Sequence, residues 1–373
     1  MKTVLLVLAS TIASLLLGIW IAAYLTVPGI AMSVEGDALV IYDPEIGAIP
    51  NPSSHNKRIY PAIKDRKAFA FDVYTNDRGA RVDGPGEKSP ARVDILTVGD
   101  SFTWGYALQN PQTYAAAVGR ELEASVSNLA MASYGTTQAL QILRRNRDLA
   151  PKLVVYGMIA HHFERNVMPC APSYYPFCLD VSHVVEDGQD KQRIATPWSN
   201  GVRRLQQQLT GNNYNPIRWL THGIDVIQGR IEYARAAFDE ADEARKDRAM
   251  SFLLRELERT SAEMGTRLLV VYLPTNYWGP PNGLARVIGN IRLLDLTESF
   301  HRNREAGGPN PYIVGDGHPS AAGNALIASE IAKYIRREGL LKLFVTSCPG
   351  RCRRSCRACR APRRAGAGRC CGR

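Results

Sequence analysis

The chain has 373 residues, enough for one large domain or two ordinary ones, and its hydrophobic (45%) and charged (22%) fractions are those of a globular protein. Its net charge of +11 is concentrated at one end: nine arginines and no acidic residue lie in residues 347–373, so residues 1–346 carry only +2. The nearly neutral remainder shows no basic groove with interleaved aromatic residues, and the sequence therefore argues against a nucleic-acid partner.

The N-terminal segment is apolar. Residues 4–27 contain no charged side chain and are long enough to cross a bilayer as a helix, which needs about 20 residues. Lys2 precedes the stretch and Glu35 and Asp37 follow it, which predicts that the bulk of the chain lies on the periplasmic side of a cell membrane. We interpret residues 1–30 as an uncleaved transmembrane anchor. The alternative is a cleaved signal peptide and secretion, although the apolar core of a signal peptide usually spans about 7–15 residues.

Residues 31–92 are rich in proline, glycine and asparagine. Two short strand-like runs, "ALVIY" (38–42) and "FAFDVYTN" (69–76), stand among them, and "TNDRGARV" (75–82) is typical of a turn between strands. The segment is predicted to be a small β-rich lead-in to the main domain.

The pattern changes in residues 93–345, where strand-like and helix-like segments alternate. The predicted strands are 93–99, 125–131, 151–159 and 266–274, and the predicted helices are 113–124, 136–149, 224–265 and the final one after "VGDGHPS". Such alternation predicts βαβ units and a parallel sheet. Residues 162–222 break the rhythm and are interpreted as an insertion.

The eight cysteines fall into two groups. Cys170 and Cys178 bracket a loop-like stretch, and in an oxidising compartment we expect them to form a disulfide. The other six lie in the tail, residues 346–373. The tail is interpreted as a disordered basic segment or as a sequence read in a shifted frame; a metal site is disfavoured because Cys356-x-x-Cys359 lacks a second pair at the right spacing.

A serine follows the first strand of the α/β region in "ILTVGDSFTWG". Ser101 is therefore either a nucleophile at the carboxyl end of a parallel strand or the N-cap of the next helix. A nucleophilic serine needs a histidine base, and a carboxylate holds that base in one tautomer. Of the seven histidines, His318 has Asp316 two residues before it, in a loop that enters the last helix. The sequence thus predicts a triad of Ser101, Asp316 and His318.

Four segments resemble, in order, the conserved blocks of the SGNH/GDSL hydrolase superfamily. "VGDSFTWG" (98–105) and "DGHPSAAGN" (316–324) resemble the first and last blocks, "NLAMASYGTTQAL" (128–140) is similar to the second, and "VVYGMIAHHFERN" (154–166) lies where the third would stand. The resemblance implies a three-layer α/β/α fold with a flavodoxin-like parallel sheet.

The resemblance also implies roles for individual residues. Ser101 would attack an ester carbonyl, His318 would be its base and Asp316 would orient the histidine, while Asp100 would hold the turn. The family usually ends in D-x-x-H, whereas this chain has D-x-H, a spacing found in some relatives that modify cell-envelope polysaccharides.

In the family, the oxyanion hole consists of the serine N–H, a glycine N–H of the second block and an asparagine side chain of the third. Here the glycine aligns on Ser133, with Gly135 two residues further on, and either backbone N–H could serve. No Gly-x-Asn stands in the third block. His161 or His162 takes that place and could donate from a neutral imidazole; a polar loop contact is the alternative for both.

The predicted function is that of an extracytoplasmic SGNH-type serine esterase that hydrolyses or transfers O-acyl groups, acetyl above all, on an envelope glycan. The alternative is a non-catalytic protein of the same fold that binds a glycan or a partner. No metal or organic cofactor is predicted. Trp104, Tyr134, Tyr277 and Trp278 are candidates for stacking on sugar rings, with packing as the alternative.

Overall fold

The computed structural model describes residues 2–26, 33–60, 68–168, 170–172, 178–187, 191–196 and 241–341. The strands are β1 (Ser33–Gly36), β2 (Val40–Asp43), β3 (Gly47–Pro50), β4 (His55–Tyr60), β5 (Phe69–Thr75), β6 (Arg81–Val82), β7 (Ile95–Gly99), β8 (Val126–Asn128), β9 (Leu153–Met158), β10 (Cys170–Pro172), β11 (Cys178–Asp180), β12 (His183–Asp187), β13 (Lys191–Ala195), β14 (Arg267–Tyr272) and β15 (Leu293–Asp295). The α-helices are α1 (Lys2–Thr26), α2 (Ser101–Trp104), α3 (Tyr114–Leu122), α4 (Thr136–Arg145), α5 (His162–Arg165), α6 (Ala241–Glu263), α7 (Asn282–Val287), α8 (Thr297–Glu305) and α9 (Ala321–Glu338).

Five strands form the parallel centre of a larger sheet. Side by side they run β8, β7, β9, β14 and β15, and every neighbouring pair is parallel. Counted along the chain this is the order 2-1-3-4-5, the flavodoxin-like arrangement, in which ligands bind at the carboxyl ends of the strands where the order reverses. The predicted α/β fold with a parallel sheet is confirmed. The reversal lies between β7 and β9, at the edge where Ser101 follows β7.

Helices cover both faces of this sheet because the central strands are apolar on both sides. In β7, Leu96 and Val98 belong to one hydrophobic core, which includes buried residues of α4 and α6. Ile95 belongs to the other core, which includes buried residues of α3 and α9. The strand is buried along its whole length, and the arrangement has three layers.

The lead-in extends the same sheet. Strands β1, β4, β5 and β6 continue it antiparallel beyond β8, through the pairing of Arg81 with Asn128. An edge strand exposes unpaired backbone groups, and β6 covers those of β8. The lead-in and the α/β region belong to one compact unit, and the tail of residues 342–373 lies outside the described residues.

The structure does not support the transmembrane helix predicted within residues 1–30. In the described part of the chain, no helix combines the length and the apolarity that a membrane span requires.

The predicted insertion, residues 162–222, is described only in part. It begins with α5 and contains two antiparallel hairpins, β10–β11 and β12–β13. In the first hairpin Cys170 lies opposite Asp180, and Cys178 lies opposite Pro172. The side chains of both cysteines are outside what the structure describes, so their disulfide stays a prediction.

The predicted helix 224–265 is helical from Ala241, and its earlier part lies outside the described residues. The segment between β14 and α9 contains three elements that the sequence pattern did not predict: α7, β15 and α8. β15 has only three residues, and its apolar pattern is too short to be recognised.

Candidate active site

The turn that contains Ser101 follows a point where β7 and β9 lie very close together. A Cβ on Gly99, at the end of β7, would lie 2.4 Å from Thr103 Oγ1 and 2.6 Å from the Gly157 carbonyl oxygen of β9. Only a glycine fits there. Asp100 then caps α2, its carboxylate accepting a hydrogen bond of 3.0 Å from the Phe102 N–H. The N-cap of α2 is therefore Asp100 and not Ser101, which is the first residue of the helix.

The structure brings the three predicted triad residues together. His318 Nε2 lies 2.8 Å from Ser101 Oγ, and His318 Nδ1 is hydrogen-bonded to Asp316 Oδ1. Because a carboxylate can only accept, Nδ1 carries the proton and Nε2 is left to accept from the serine hydroxyl. Ser101 is 3% exposed and His318 is 8% exposed, so water has little access to the pair.

The unusual D-x-H spacing is explained by the turn that contains it. Gly317 has a φ of +86°, in the left-handed region that favours glycine. The chain therefore turns back within one residue, and Asp316 Oδ1 accepts from both the backbone N–H (3.3 Å) and the ring Nδ1 of His318. Side chains of aspartate commonly accept from the residue two positions on in such turns. One intervening residue is enough to orient the ring.

Asp100 is fully buried and ionised. Burial by itself raises its pKa, but hydrogen bonding to His162 and the positive charge of Arg165 outweigh this and hold the pKa at about 2. Arg165 Nη1 donates to Asp100 Oδ2 at 2.9 Å and to the Tyr134 carbonyl oxygen at 3.0 Å. Arg165 thus connects the turn that contains Asp100 and Ser101 with the loop after β8. The sequence did not indicate this role for Arg165.

His162 is fully buried and belongs to a hydrogen-bonded chain of side chains. Its Nε2 lies 3.5 Å from Asp100 Oδ2, the outer limit of a hydrogen bond, and its Nδ1 lies 2.6 Å from the Tyr156 hydroxyl. Because Nε2 faces a carboxylate, it carries the proton, and Nδ1 accepts from the Tyr156 hydroxyl. Tyr156 in turn accepts from Thr136 at 2.7 Å, and Thr136 accepts from the Asn166 amide at 3.0 Å. Nδ1 of His162 is thus hydrogen-bonded to Tyr156, whereas Nε2 only faces the Asp100 carboxylate at 3.5 Å, and the oxyanion role predicted for His162 stays a prediction.

The other predicted oxyanion donors lie in different surroundings. The Gly135 N–H donates to Gln138 Oε1 at 2.8 Å in the capping box of α4, so it is committed to the helix. His161 is exposed at the start of α5. Ser133 is buried, with a φ of +68°, in the loop after β8 at the same edge of the sheet as Ser101. Ser133 remains the candidate of the second block.

Arg81, in β6 of the lead-in, bonds the backbone of the loop that follows α2, a role that the sequence did not indicate. It is 4% exposed, and its guanidinium donates to the carbonyl oxygens of Trp104 (2.9 Å), Gly105 (2.7 Å) and Leu108 (2.7 Å). Burial lowers its pKa to about 9, so it stays charged at neutral pH. These bonds hold the loop that follows α2. A single arginine in a two-residue strand carries no signal by which the sequence could have revealed it.

The loop that Arg81 holds contains Tyr106, whose ring packs on His318. The centroids of the Tyr106 and His318 rings are 4.3 Å apart, and Phe102 lies on His318 at 5.0 Å. Tyr106 in turn meets Tyr60 of β4 and Phe71 of β5 edge to face, both at 5.9 Å. The lead-in therefore builds the wall against which His318 rests.

Two of the four candidate aromatic residues pack inside the protein. Trp104 is 1% exposed, and Tyr134 is 2% exposed with its hydroxyl donating to the Ala48 carbonyl oxygen at 2.8 Å. Tyr277 is half-buried, and Trp278 is 70% exposed. Only Trp278 presents its ring freely to solvent.

No family model and no curated protein matches the chain. Among solved structures it is similar to a member of the lipolytic protein G-D-S-L family from Veillonella parvula, with 13% identity, 65% of this chain and 98% of that chain covered, and a TM-score of 0.33. It is also similar to a carbohydrate esterase family 2 enzyme with a carbohydrate-binding domain from Corynascus thermopiles, with 16% identity, 83% of this chain and 89% of that chain covered, and a TM-score of 0.35. A third similar structure is an acetyl xylan esterase from the rumen bacterium Butyrivibrio proteoclasticus, with 11% identity, 83% of this chain and 88% of that chain covered, and a TM-score of 0.33. One of these three proteins bears the name of the G-D-S-L family, and the other two are named as esterases. The roles of individual residues follow from the geometry described above, not from these similarities.

His162→Gln is expected to remove a pH-dependent part of the stability. Burial lowers the pKa of His162, so below its unfolded value of about 6.5 the unfolded chain binds more protons than the folded chain. The free energy of unfolding therefore falls on acidification in the wild type, and the gap between wild type and variant should shrink between pH of about 7.5 and about 5. Urea denaturation of both proteins at the two pH values measures this difference in the free energy of unfolding. His161→Gln is the matched control, and a gap that does not change with pH would contradict a buried neutral His162.

Arg81→Met is expected to destabilise the protein by roughly 3 kcal/mol, because several buried carbonyl oxygens lose a charged donor. It should also slow the reaction of Ser101 with a fluorophosphonate probe, since Tyr106 no longer holds His318 in place. Arg78→Met, three residues away, is the control; Arg78 pairs with Asp148 at the surface, where ion pairs contribute about 1 kcal/mol or less. Equal effects of the two substitutions would refute the role assigned to Arg81.

Proposed function

We propose that this protein is a serine esterase that acts on O-acyl, chiefly acetyl, groups of a glycan. The observation that supports it is the 2.8 Å approach of His318 Nε2 to Ser101 Oγ, with Nδ1 held by Asp316. Each of these groups is in the state that acyl transfer needs: a hydroxyl directed at an acceptor nitrogen and a carboxylate fixing the ring.

In the proposed first half-reaction, His318 Nε2 takes the proton of Ser101 as Oγ bonds to the acyl carbon. The resulting oxyanion is stabilised by backbone N–H groups, with those of Ser101 and Ser133 as the candidates. When the tetrahedral intermediate collapses, the C–O bond to the sugar breaks and His318 returns the proton to the departing alcohol. The acyl group is then an ester of Ser101.

The second half-reaction repeats these steps with a new nucleophile. His318 removes a proton from water, the acyl carbon is attacked again, and the proton returns to Ser101 Oγ as the carboxylic acid leaves. If a sugar hydroxyl replaces water, the same residues transfer the acyl group instead of hydrolysing it. Water and sugar differ only as acceptors, so hydrolysis and transfer are two outcomes of one proposal.

A location outside the cytoplasm is part of the proposal and rests on the sequence of the first 30 residues alone, either as an anchor or as a cleaved signal peptide. Determining the N-terminus of the mature protein distinguishes these two, because a start beyond residue 27 would mean cleavage.

The commitment of one predicted oxyanion donor to another hydrogen bond favours a second candidate function. The Gly135 N–H is bonded to Gln138 Oε1, and the loss of one oxyanion donor typically costs about 2.7–4 kcal/mol of transition-state stabilisation. A protein that had lost this stabilisation could serve as a non-catalytic glycan-binding or partner-binding protein. Covalent labelling by a fluorophosphonate probe separates the two, since only an activated serine reacts.

Ser101→Ala and His318→Ala are each expected to abolish probe labelling and hydrolysis of a small acetyl ester, because nucleophile and base act as one unit. His55→Ala is the matched control: His55 Nε2 of β4 pairs with Asp72 Oδ1 of β5 at 2.8 Å, a similar histidine–carboxylate pair in the lead-in. Labelling that survives Ser101→Ala would place the reactive group elsewhere.

Asp316→Asn is expected to lower kcat roughly 10³- to 10⁴-fold while leaving more activity than Ser101→Ala. The amide can donate to Nδ1 and so favours the tautomer whose Nε2 carries the proton and cannot accept from Ser101. The measurement is the steady-state hydrolysis of the same ester by the two variants. If Asp316→Asn behaves as the wild type while His318→Ala is inactive, the protein works with a Ser–His dyad.

A further inference from the structure

The loop that follows β14 lies at the same edge of the sheet as Ser101. It contains two consecutive residues in the left-handed region, Asn276 (φ +48°) and Tyr277 (φ +66°), a conformation that side chains other than glycine rarely adopt. Such strained backbone persists only where surrounding bonds hold it, and it is concentrated at functional sites.

Three side chains fasten the backbone of this loop. The Tyr272 hydroxyl donates to the Gly279 carbonyl oxygen at 2.8 Å. Tyr312 accepts from the Tyr277 N–H at 3.0 Å and donates to the Pro274 carbonyl oxygen at 2.8 Å, and His301 Nε2 lies 3.0 Å from the Tyr277 carbonyl oxygen. The backbone around Trp278 is therefore held on both sides.

This fixed loop leaves its largest apolar side chain in water. Trp278 is 70% exposed, and among the described residues outside α1 the other exposed large apolar side chains are Val314 (54%) and Ile41 (39%). Val314 lies two residues before Asp316. Tryptophan is highly buried on average, so an indole held in solvent by a bonded backbone is exceptional.

The loop also touches the turn that carries the catalytic histidine. A Cβ on Gly317, between Asp316 and His318, would lie 3.3 Å from Asn276 Oδ1. Trp278 follows Asn276 by two residues, and the backbone N–H of Trp278 donates to the Thr275 carbonyl oxygen at 2.9 Å. The exposed indole and the triad are thus carried by two loops in direct contact.

We propose that Trp278 is the platform on which a sugar ring of the acylated substrate stacks, so that the substrate is an acylated oligosaccharide or polysaccharide. The proposal rests on the esterase function proposed above. An acyl chain or a protein partner would call for a wide apolar surface, whereas only three large apolar side chains are exposed among the described residues outside α1. A pyranose ring matches a single indole, because it offers apolar C–H groups on one face and hydroxyl groups around its rim.

The test compares two acetyl esters that differ in whether they contain a sugar. Trp278→Ala is expected to lower kcat/KM roughly tenfold for O-acetylated xylohexaose, cellohexaose or mannohexaose and to leave kcat/KM for ethyl acetate unchanged. Ethyl acetate is chosen because it has no ring that could stack on the indole. Trp278→Tyr should restore most of the loss, and Ile41→Ala, which removes an exposed side chain elsewhere, should have no effect on either ester.

Binding of the unacetylated hexaoses, measured by calorimetry, is the readout that does not depend on catalysis. Binding of at least one of them that is lost in Trp278→Ala and retained in Ile41→Ala supports the platform, even if neither ester is hydrolysed; in that case the proposed esterase function alone fails. The platform is overturned if none of the three hexaoses binds, or if Trp278→Ala binds as the wild type does. It is equally overturned if Trp278→Ala affects ethyl acetate and the acetylated hexaoses to the same extent.

Discussion

The buried carboxylate of Asp100 is the group on which the candidate site depends. An ionised side chain with no exposure is costly unless it is paired and hydrogen-bonded, and here it accepts from the Phe102 N–H and Arg165 and lies 3.5 Å from His162 Nε2. These partners come from three different places: the start of α2, the end of α5 and its beginning. Satisfying one charge therefore fixes the helix that begins with Ser101 relative to the loop after β8 and to the buried chain that runs through Tyr156.

The other half of the site arrives from the far end of the chain. The turn that holds Asp316 and His318 leads into α9, which is fastened where Asn324 Oδ1 accepts from the Tyr114 N–H at 2.9 Å. At Gly323 an added Cβ would lie 2.0 Å from the Pro311 carbonyl oxygen, so the helix can approach the preceding loop only with a glycine. These two contacts give a physical reason for the glycine and asparagine of "DGHPSAAGN", since they set how α9 delivers His318 to Ser101.

The lead-in has a larger part in the site than a covering for the sheet. Its strands extend the sheet beyond β8 and place Tyr60 and Phe71 against Tyr106, while Arg81 bonds the backbone of the loop that carries Tyr106. His318 then packs on that ring. The position of the His318 ring is thus determined jointly by the last loop of the α/β region and by strands that precede it along the chain.

The parallel sheet and the three residues proposed as a triad could be predicted from the sequence because each stands in a local pattern. Apolar runs alternating with helical spacing mark β7, β9 and β14, and Ser101, Asp316 and His318 stand in short motifs directly after a strand or before a helix. What only the tertiary structure decided is which group each polar atom meets. The Gly135 N–H is taken by Gln138, His162 turns to Asp100 and Tyr156, and Arg81 reaches Leu108, because hydrogen-bond partners depend on which segments lie side by side in space. Hydropathy and residue spacing along one chain do not specify which distant segments become neighbours in the folded protein.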